Sequence, residues 1–312
     1  MKSRPNAASR RRLAVLLAAA LAAIFAGGCG KKDKDSKGDE KTSSQKGEKG
    51  KDQKGKDQKQ KTVQINAEID SAPWNRLLGK YVDDRGLVDY KRWKDDRTDR
   101  DALARYVDAI GKKSNPAAGG VERISALANA YNALTVSWIL DNYPMASIRA
   151  TNDAFTEARF TVGGQRVSLD DIEKGTLTSV GGYRIHALIS CASRSCPPLA
   201  NKAFTAAGIE DEMNHRMAVW LGREDLNSFD PAAKKADLSQ VFKWNTGDFD
   251  KAGGVQAVLA RHAPAKYRDF LSKKDYETTY KSYDWGLNDQ GAEGHHYSGI
   301  QKGIDAVRDK IR

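Results

Sequence analysis

"VERISALANAYNALTVSWILDNYP", Val121 to Pro144, decides how this chain folds. Ile124, Leu127, Ala128, Tyr131, Leu134, Thr135, Trp138 and Ile139 recur at the spacing of one helix face, and Pro144 cannot continue the hydrogen-bond ladder. The pattern predicts one long helix, central to the domain. Asn129 and Asn132 flank the apolar stripe three residues apart. Such poor helix formers suit that place only if their amides satisfy something buried. Either they bond neighbouring backbone or they line a site.

Upstream, "APWNRLLGKYV" (Ala72 to Val82) reads as a short helix and "GLVDYKRWK" as an extended turn. "DRTDRDALARYVDAIGKK" reads as a helix closed by Gly111. Downstream, two short alternating runs meet across Gly163 and Gly164, the signal of a hairpin. Ser168 with Asp171 three residues later forms a capping box for a helix starting at Leu169. "YRIHALISC" (Tyr183 to Cys191) alternates and is expected to be an interior strand, and "FTAAGIEDEMNHRMAVWLGRE" an amphipathic helix. Helices interrupted by a few hairpin-like strands predict an α+β fold: a mostly helical single domain with a small mixed or antiparallel sheet and hairpins.

The N-terminus has another character. Lys2, Arg4, Arg10, Arg11 and Arg12 precede the apolar run Leu13 to Ala26, and Gly27 and Gly28 lead into Cys29. A basic segment, a short apolar core and small residues make a secretory signal, too short for a membrane span of about 20 residues. A cysteine directly after the cleavage site resembles the lipobox of bacterial lipoproteins, although Ala26 stands where Leu is preferred. The resemblance implies acylation of Cys29 and a membrane anchor through that lipid. Gly30 follows instead of Asp, which favours the outer membrane where the envelope has two. Gly30 to Lys61 contains almost no apolar residue and reads as a disordered tether spanning roughly 30 Å. The expected organisation is a signal over 1–28, a lipidated Cys29 with its tether to 61, a globular domain over 62–290 and a polar, partly helical extension over 291–312.

Charge excludes one class of partner. The net charge of +11 suggests a nucleic-acid binder until it is apportioned. The leader carries five Lys/Arg and no acid, and residues 30–61 carry twelve Lys against seven acids. That leaves 35 basic and 34 acidic residues for 62–312, a net of +1. The folded part has no basic excess, so no nucleic acid is expected as partner.

Chemistry concentrates in "HALISCASRSCPPL" (His186 to Leu199). On a regular strand His186 and Cys191 point to opposite faces, with Cα atoms roughly 16 Å apart. Cys196 follows in a loop that could return toward His186, with Arg194 at hand to lower its pKa, so Cys196 is the candidate nucleophile and His186 the candidate base. Asn129, Asn132 and Asp284 are candidates for orienting the base or stabilising an oxyanion. Export argues instead for a Cys191 to Cys196 disulfide clamping the strand-end loop. A metal site is a third reading, weakened because Cys-x4-Cys lacks the short paired spacing of zinc ligands. No metal and no cofactor is expected. Glu173, Asp248 in "KWNTGDF" and Asp284 in "YDWGLN" are the other candidate acids, and His295 and His296 read as solvent-facing.

Five stretches in order, "ANAYNALTV" (Ala128 to Val136), "SLDDIEKGTL" (Ser168 to Leu177), "RIHALISCASRSCPPL" (Arg184 to Leu199), "LSQVFKWNTGDF" (Leu238 to Phe249) and "YDWGLN" (Tyr283 to Asn288), resemble the domain-of-unknown-function family number 547. Members typically read "FWINAYNAL" and "SLDDIEHGIL", so this chain departs at Ala128 and has Lys174 where His is usual. Plant members often carry Asp where Cys196 stands, so a cysteine role would belong to the exported bacterial branch. The resemblance brings no activity with it. Two functions stay open: an envelope domain binding a peptide, protein or cell-wall ligand, and a papain-like or transglutaminase-like cysteine enzyme acting on peptide or wall amides.

Overall fold

The computed structural model describes residues 61–113, 116–151 and 153–291. The expected signal, Cys29, nearly all of the tether, His295 and His296 lie outside the described residues. No described helix is long and apolar enough to cross a membrane.

Helix α1 (Ala72–Tyr81) starts with Pro73 in its first turn and buries Trp74, Leu77, Leu78 and Tyr81, a four-residue stripe of period 3.6. The stretch expected to be an extended turn instead holds a short helix, α2 (Tyr90–Asp95), because the Asp89 carboxylate accepts the Arg92 N–H and caps it. Asp96 caps α3 (Arg97–Gly111) in the same way. Asp99, buried, accepts from Arg76 Nη2 at 2.6 Å, Lys80 Nζ at 2.6 Å and Tyr81 OH at 2.8 Å, which ties α3 to α1. Burial alone would raise the pKa of Asp99; these donors outweigh it and hold the carboxyl below its usual range.

Helix α4 (Gly120–Asn142) is the predicted central helix, buried on both flanks as well as along its stripe, and it ends before the Tyr143–Pro144 bond. Strands β1 (Phe160–Val162) and β2 (Gln165–Val167) form the expected hairpin. Gly163 and Gly164 turn it with φ of 56° and 80°, left-handed positions that glycine adopts without strain. The capping box at Ser168 and Asp171 is formed and starts α5 (Leu169–Ile172). A π turn (Glu173–Leu177), α6 (Thr178–Gly181) and a 3-10 turn (Gly182–Ala187) follow directly.

The expected strand over Tyr183 to Cys191 is therefore absent, and the segment is helical to Ala187. Gly182 turns the chain with φ of 62°, and the Ile185 carbonyl accepts both Leu188 N–H and Ile189 N–H, so the backbone curls instead of extending. The side chains explain why the alternation misleads. Ile185, Leu188 and Ile189 fall at i, i+3 and i+4 and pack into one hydrophobic cluster, while Tyr183 and Ala187, four apart, pack into a second. Apolar residues on two sides of a tight helix mimic the two faces of a strand.

The second half of the described chain contains α7 (Ile209–Gly222), preceded by a 3-10 turn (Ala206–Gly208), then β3 (Ser228–Asp230) and β4 (Lys235–Leu238). After these come α8 (Gln240–Trp244), α9 (Thr246–Asp250), α10 (Val255–His262), α11 (Ala265–Ser272) and β5 (Glu277–Tyr280). The sheet order is β3-β4-β5, with β3 antiparallel and β5 parallel to β4, so the sheet is mixed. This is the mostly helical α+β domain with a hairpin and a small mixed sheet that the sequence predicts. Trp244 and Tyr283 pack against both hydrophobic clusters, which places the seam between the clusters beside α8 and the segment after β5.

Candidate functional site

A cavity of about 400 Å³ opens at that seam. Tyr131 of α4, Asp170 of α5, and Glu173 and Lys174 of the π turn form one wall. His186, Ile189, Cys191 and Cys196 form a second, and Lys243, Trp244, Asn245, Tyr283 and Trp285 a third. The wide π turn, with one extra residue per turn, follows directly on the capped α5 and carries Glu173 and Lys174.

His186 is buried between two carboxylates. Its Nδ1 lies 3.5 Å from Glu173 Oε1 and its Nε2 3.1 Å from Asp248 Oδ2. Burial, the largest single effect, lowers the imidazole pKa, but the hydrogen bonds to Asp248 and Glu173 together outweigh it, and the net direction is upward. Asp248 is shifted the opposite way, first by its hydrogen bond from His186, against the cost of burial. Lys251 Nζ also contacts Asp248 at 3.1 Å. Tyr131 OH donates to Glu173 Oε2 at 3.4 Å, and burial raises the phenol well above its ordinary pKa, so it stays a neutral donor. Lys174, at the position where the family resemblance leads one to expect His, donates to Asp170 Oδ2 at 2.8 Å.

The third wall is aromatic. Ring centroids of Trp244 and Tyr283 lie 4.7 Å apart, those of Tyr283 and Trp285 4.5 Å, and those of Trp244 and Trp285 5.7 Å. The Arg149 guanidinium stacks over Trp285 at 3.9 Å, a cation–π contact that fixes that ring.

Cys191 and Cys196 are joined by a disulfide, with Cα atoms 6.2 Å apart. The loop it closes follows a helical turn, not the end of a strand. The loop is also held by backbone: Arg194 N–H donates to Gly286 O, Ser195 N–H to Asp284 O, and Asn288 N–H to Ala192 O. Arg194 itself is exposed.

The residues expected from sequence divide into two groups. His186, Cys191 and Cys196 meet in one cavity, with Glu173, and Asp248, outside the lining, hydrogen-bonds to the His186 ring. The strand geometry that separated His186 from Cys191 does not hold, because no strand is there. Asn129, Asn132 and Asp284 do not line the cavity. Asn129 donates to Phe204 O at 2.9 Å and accepts from Phe204 N at 3.0 Å. Asn132 donates to Leu188 O at 2.9 Å and accepts from Ser190 N at 2.9 Å. Asp284 Oδ1 accepts from Gly286 N, and its own N–H donates to Ser195 Oγ. All three brace the walls by satisfying backbone. Sequence reasoning passed over Trp244, Tyr283 and Trp285. Their signal was present in "KWNTGDF" and "YDWGLN", where the carboxylates drew attention and the rings beside them build the wall.

Among the described residues no group of three or more His, Cys, Asp or Glu side chains is placed to hold a metal ion. Residues 118–221 match the family model described as "Protein of unknown function, DUF547". The resemblance read from the motifs is thus borne out over that segment. It covers α4 through most of α7, and so the first two walls and the disulfide, but not Trp244, Asp248, Tyr283 or Trp285. No curated protein and no solved structure matches the chain.

Proposed function

We propose, with that family segment and the cavity it helps to wall as premise, that the globular domain is the binding module of a membrane-anchored envelope lipoprotein. In this reading Cys29 carries the lipid, residues 30–61 hold the domain off an outer membrane, and the cavity takes a stretch of peptide or cell-wall polymer. The composition of the cavity carries the reading. One wall of packed rings suits a flat apolar surface, and another part of the lining presents fixed charges at Asp170, Lys174 and Glu173 to a polar edge.

The enzyme reading asks for groups that this arrangement does not offer. Attack on an amide by Cys196 needs a free thiolate, and in the oxidised pair the two sulfurs are bonded to each other. A general base needs an unoccupied imidazole nitrogen, and both nitrogens of His186 face carboxylates.

Binding is tested by titrating the protein with synthetic peptides and with soluble cell-wall glycopeptide fragments while following tryptophan fluorescence. A saturable change is expected. Trp244→Ala should weaken it by about 2 kcal/mol, roughly thirtyfold in Kd, as for truncation of a buried aromatic anchor. No saturable change with either probe set, or an unaltered Kd in the variant, contradicts the reading. Anchoring is tested separately by fractionating cells that express Cys29→Ala. The variant is expected in the soluble fraction, and retention with membranes would contradict lipid anchoring.

A further inference from the structure

We infer that the Cys191–Cys196 disulfide is redox-active and accepts two electrons from a dithiol peptide by thiol–disulfide exchange inside the cavity. This activity goes beyond ligand binding. It can be measured with a small dithiol that makes no use of the aromatic wall.

Three independent observations support it. First, the bond lies in the cavity wall, and its two residues differ in exposure. Cys191 is half-buried, whereas Cys196 is 7% exposed, which makes Cys191 the more accessible half of the bond. Second, the loop is held by contacts other than the bond. Its backbone is hydrogen-bonded to residues 284–288 at Arg194, Ser195 and Ala192, and Ser193 pairs with Leu287. Opening the bond therefore leaves the wall in place. Third, both sulfurs face donors. Ser193 Oγ and Tyr283 OH lie 3.1 and 3.2 Å from Cys191 Sγ and 2.8 Å from each other, so the hydroxyl pair keeps one O–H for the sulfur, and the Cys191 N–H donates to Cys196 Sγ at 2.9 Å. A disulfide sulfur is a weak acceptor and gains little from such donors, whereas a thiolate gains much more. The surroundings thus favour the reduced pair, and stabilising the reduced form makes a disulfide a stronger oxidant.

The exchange balances without a further reactant. A peptide thiolate attacks Cys191 Sγ, the S–S bond breaks, and its electron pair leaves on Cys196 Sγ, which keeps the Cys191 N–H and takes a proton from solvent. The second peptide thiolate attacks the peptide sulfur of the mixed disulfide. Cys191 then departs as a thiolate toward Ser193 and Tyr283 and is protonated in turn. The peptide is oxidised to a disulfide and the protein is reduced to two thiols.

The test uses the folded full chain without denaturant, mixed in turn with millimolar dithiothreitol and with a synthetic two-cysteine peptide, then acid-quenched, alkylated and weighed intact. Both probes are expected to yield protein carrying two additional alkyl groups together with oxidised probe. Ser193→Ala combined with Tyr283→Phe, with the fold checked by circular dichroism, should slow the exchange about tenfold through loss of the hydroxyl donor to the Cys191 thiolate. Cys196→Ser should form a stable mixed disulfide on Cys191 with a one-cysteine peptide activated as its thionitrobenzoate disulfide, releasing thionitrobenzoate, and Cys191→Ser should not. A bond that resists dithiothreitol until the protein unfolds would overturn the proposal. Exchange with dithiothreitol but not with the peptide would overturn the substrate class, and equal trapping by both serine variants would overturn the assignment of Cys191. Failure of ligand binding would leave the dithiothreitol result unchanged, so the two readings fail separately.

Discussion

His186→Leu is expected to lower the unfolding free energy by about 3 kcal/mol at pH 6, the cost of leaving buried charge without its partner. Leucine keeps most of the volume and removes both donors. Glu173 and Asp248, whose side chains are 16% and 18% exposed, then face each other's region without the intervening cation. Their partial access to water keeps the expected cost at the lower end of the range for broken buried pairs. The dependence on pH has a definite sign. His186 is raised in the folded state, so its contribution is complete below the unfolded value near 6.5 and fades as pH rises through the folded value. Asp248 is lowered, so its share is present above the ordinary carboxylate pKa and is lost as pH falls through the folded value. The gap between native protein and variant should be widest in the interval between those limits and narrow on both sides. Urea unfolding across that pH range reads it directly, and equal stability at pH 6 would contradict the ion cluster.

Asn132→Ala is expected to be as costly, about 3–4 kcal/mol, for a different reason. The amide satisfies the Leu188 carbonyl and the Ser190 N–H, both in buried surroundings, and each orphaned group costs about 1–3 kcal/mol. The backbone it holds leads straight into the disulfide loop, so the loss reaches the cavity wall. Hydrogen exchange at the Ser190 amide should accelerate along with the fall in stability. Unchanged protection there would mean that other contacts hold the segment. Asn132→Asp is no rescue, since the carboxylate still accepts from Ser190 but cannot donate to Leu188.

How much was legible in the sequence follows the range of the interactions. The long helix over α4, the Gly163 and Gly164 turn and the capping box at Ser168 are set by residues within a few positions of one another, and each forms as its local pattern predicts. The segment after Gly182 misleads because alternating apolar residues fit both a two-faced strand and a tight helix wedged between two clusters, and only the clusters decide. The asparagines on α4 satisfy buried backbone, as poor helix formers there suggest, but that backbone lies 56 to 75 residues away, neither neighbouring nor at the site. Likewise Glu173 and Asp248 stood among the candidate acids, but nothing near Asp248 tells that His186, 62 residues earlier, is its partner. The aromatic wall is the least legible feature, since Trp244, Tyr283 and Trp285 belong to segments joined only by the packing of the second half.

The choice of binding over catalysis turns on an imidazole held at both nitrogens, a fixed part of the wall instead of a base. Nitrogen-15 NMR of histidine-labelled protein reads this at His186, with His186→Leu assigning the signal. The account predicts both ring nitrogens protonated at pH 6.5 and a titration midpoint above that of a free histidine. A neutral ring at pH 6.5, with one nitrogen unprotonated, would contradict it and return a base to the cavity.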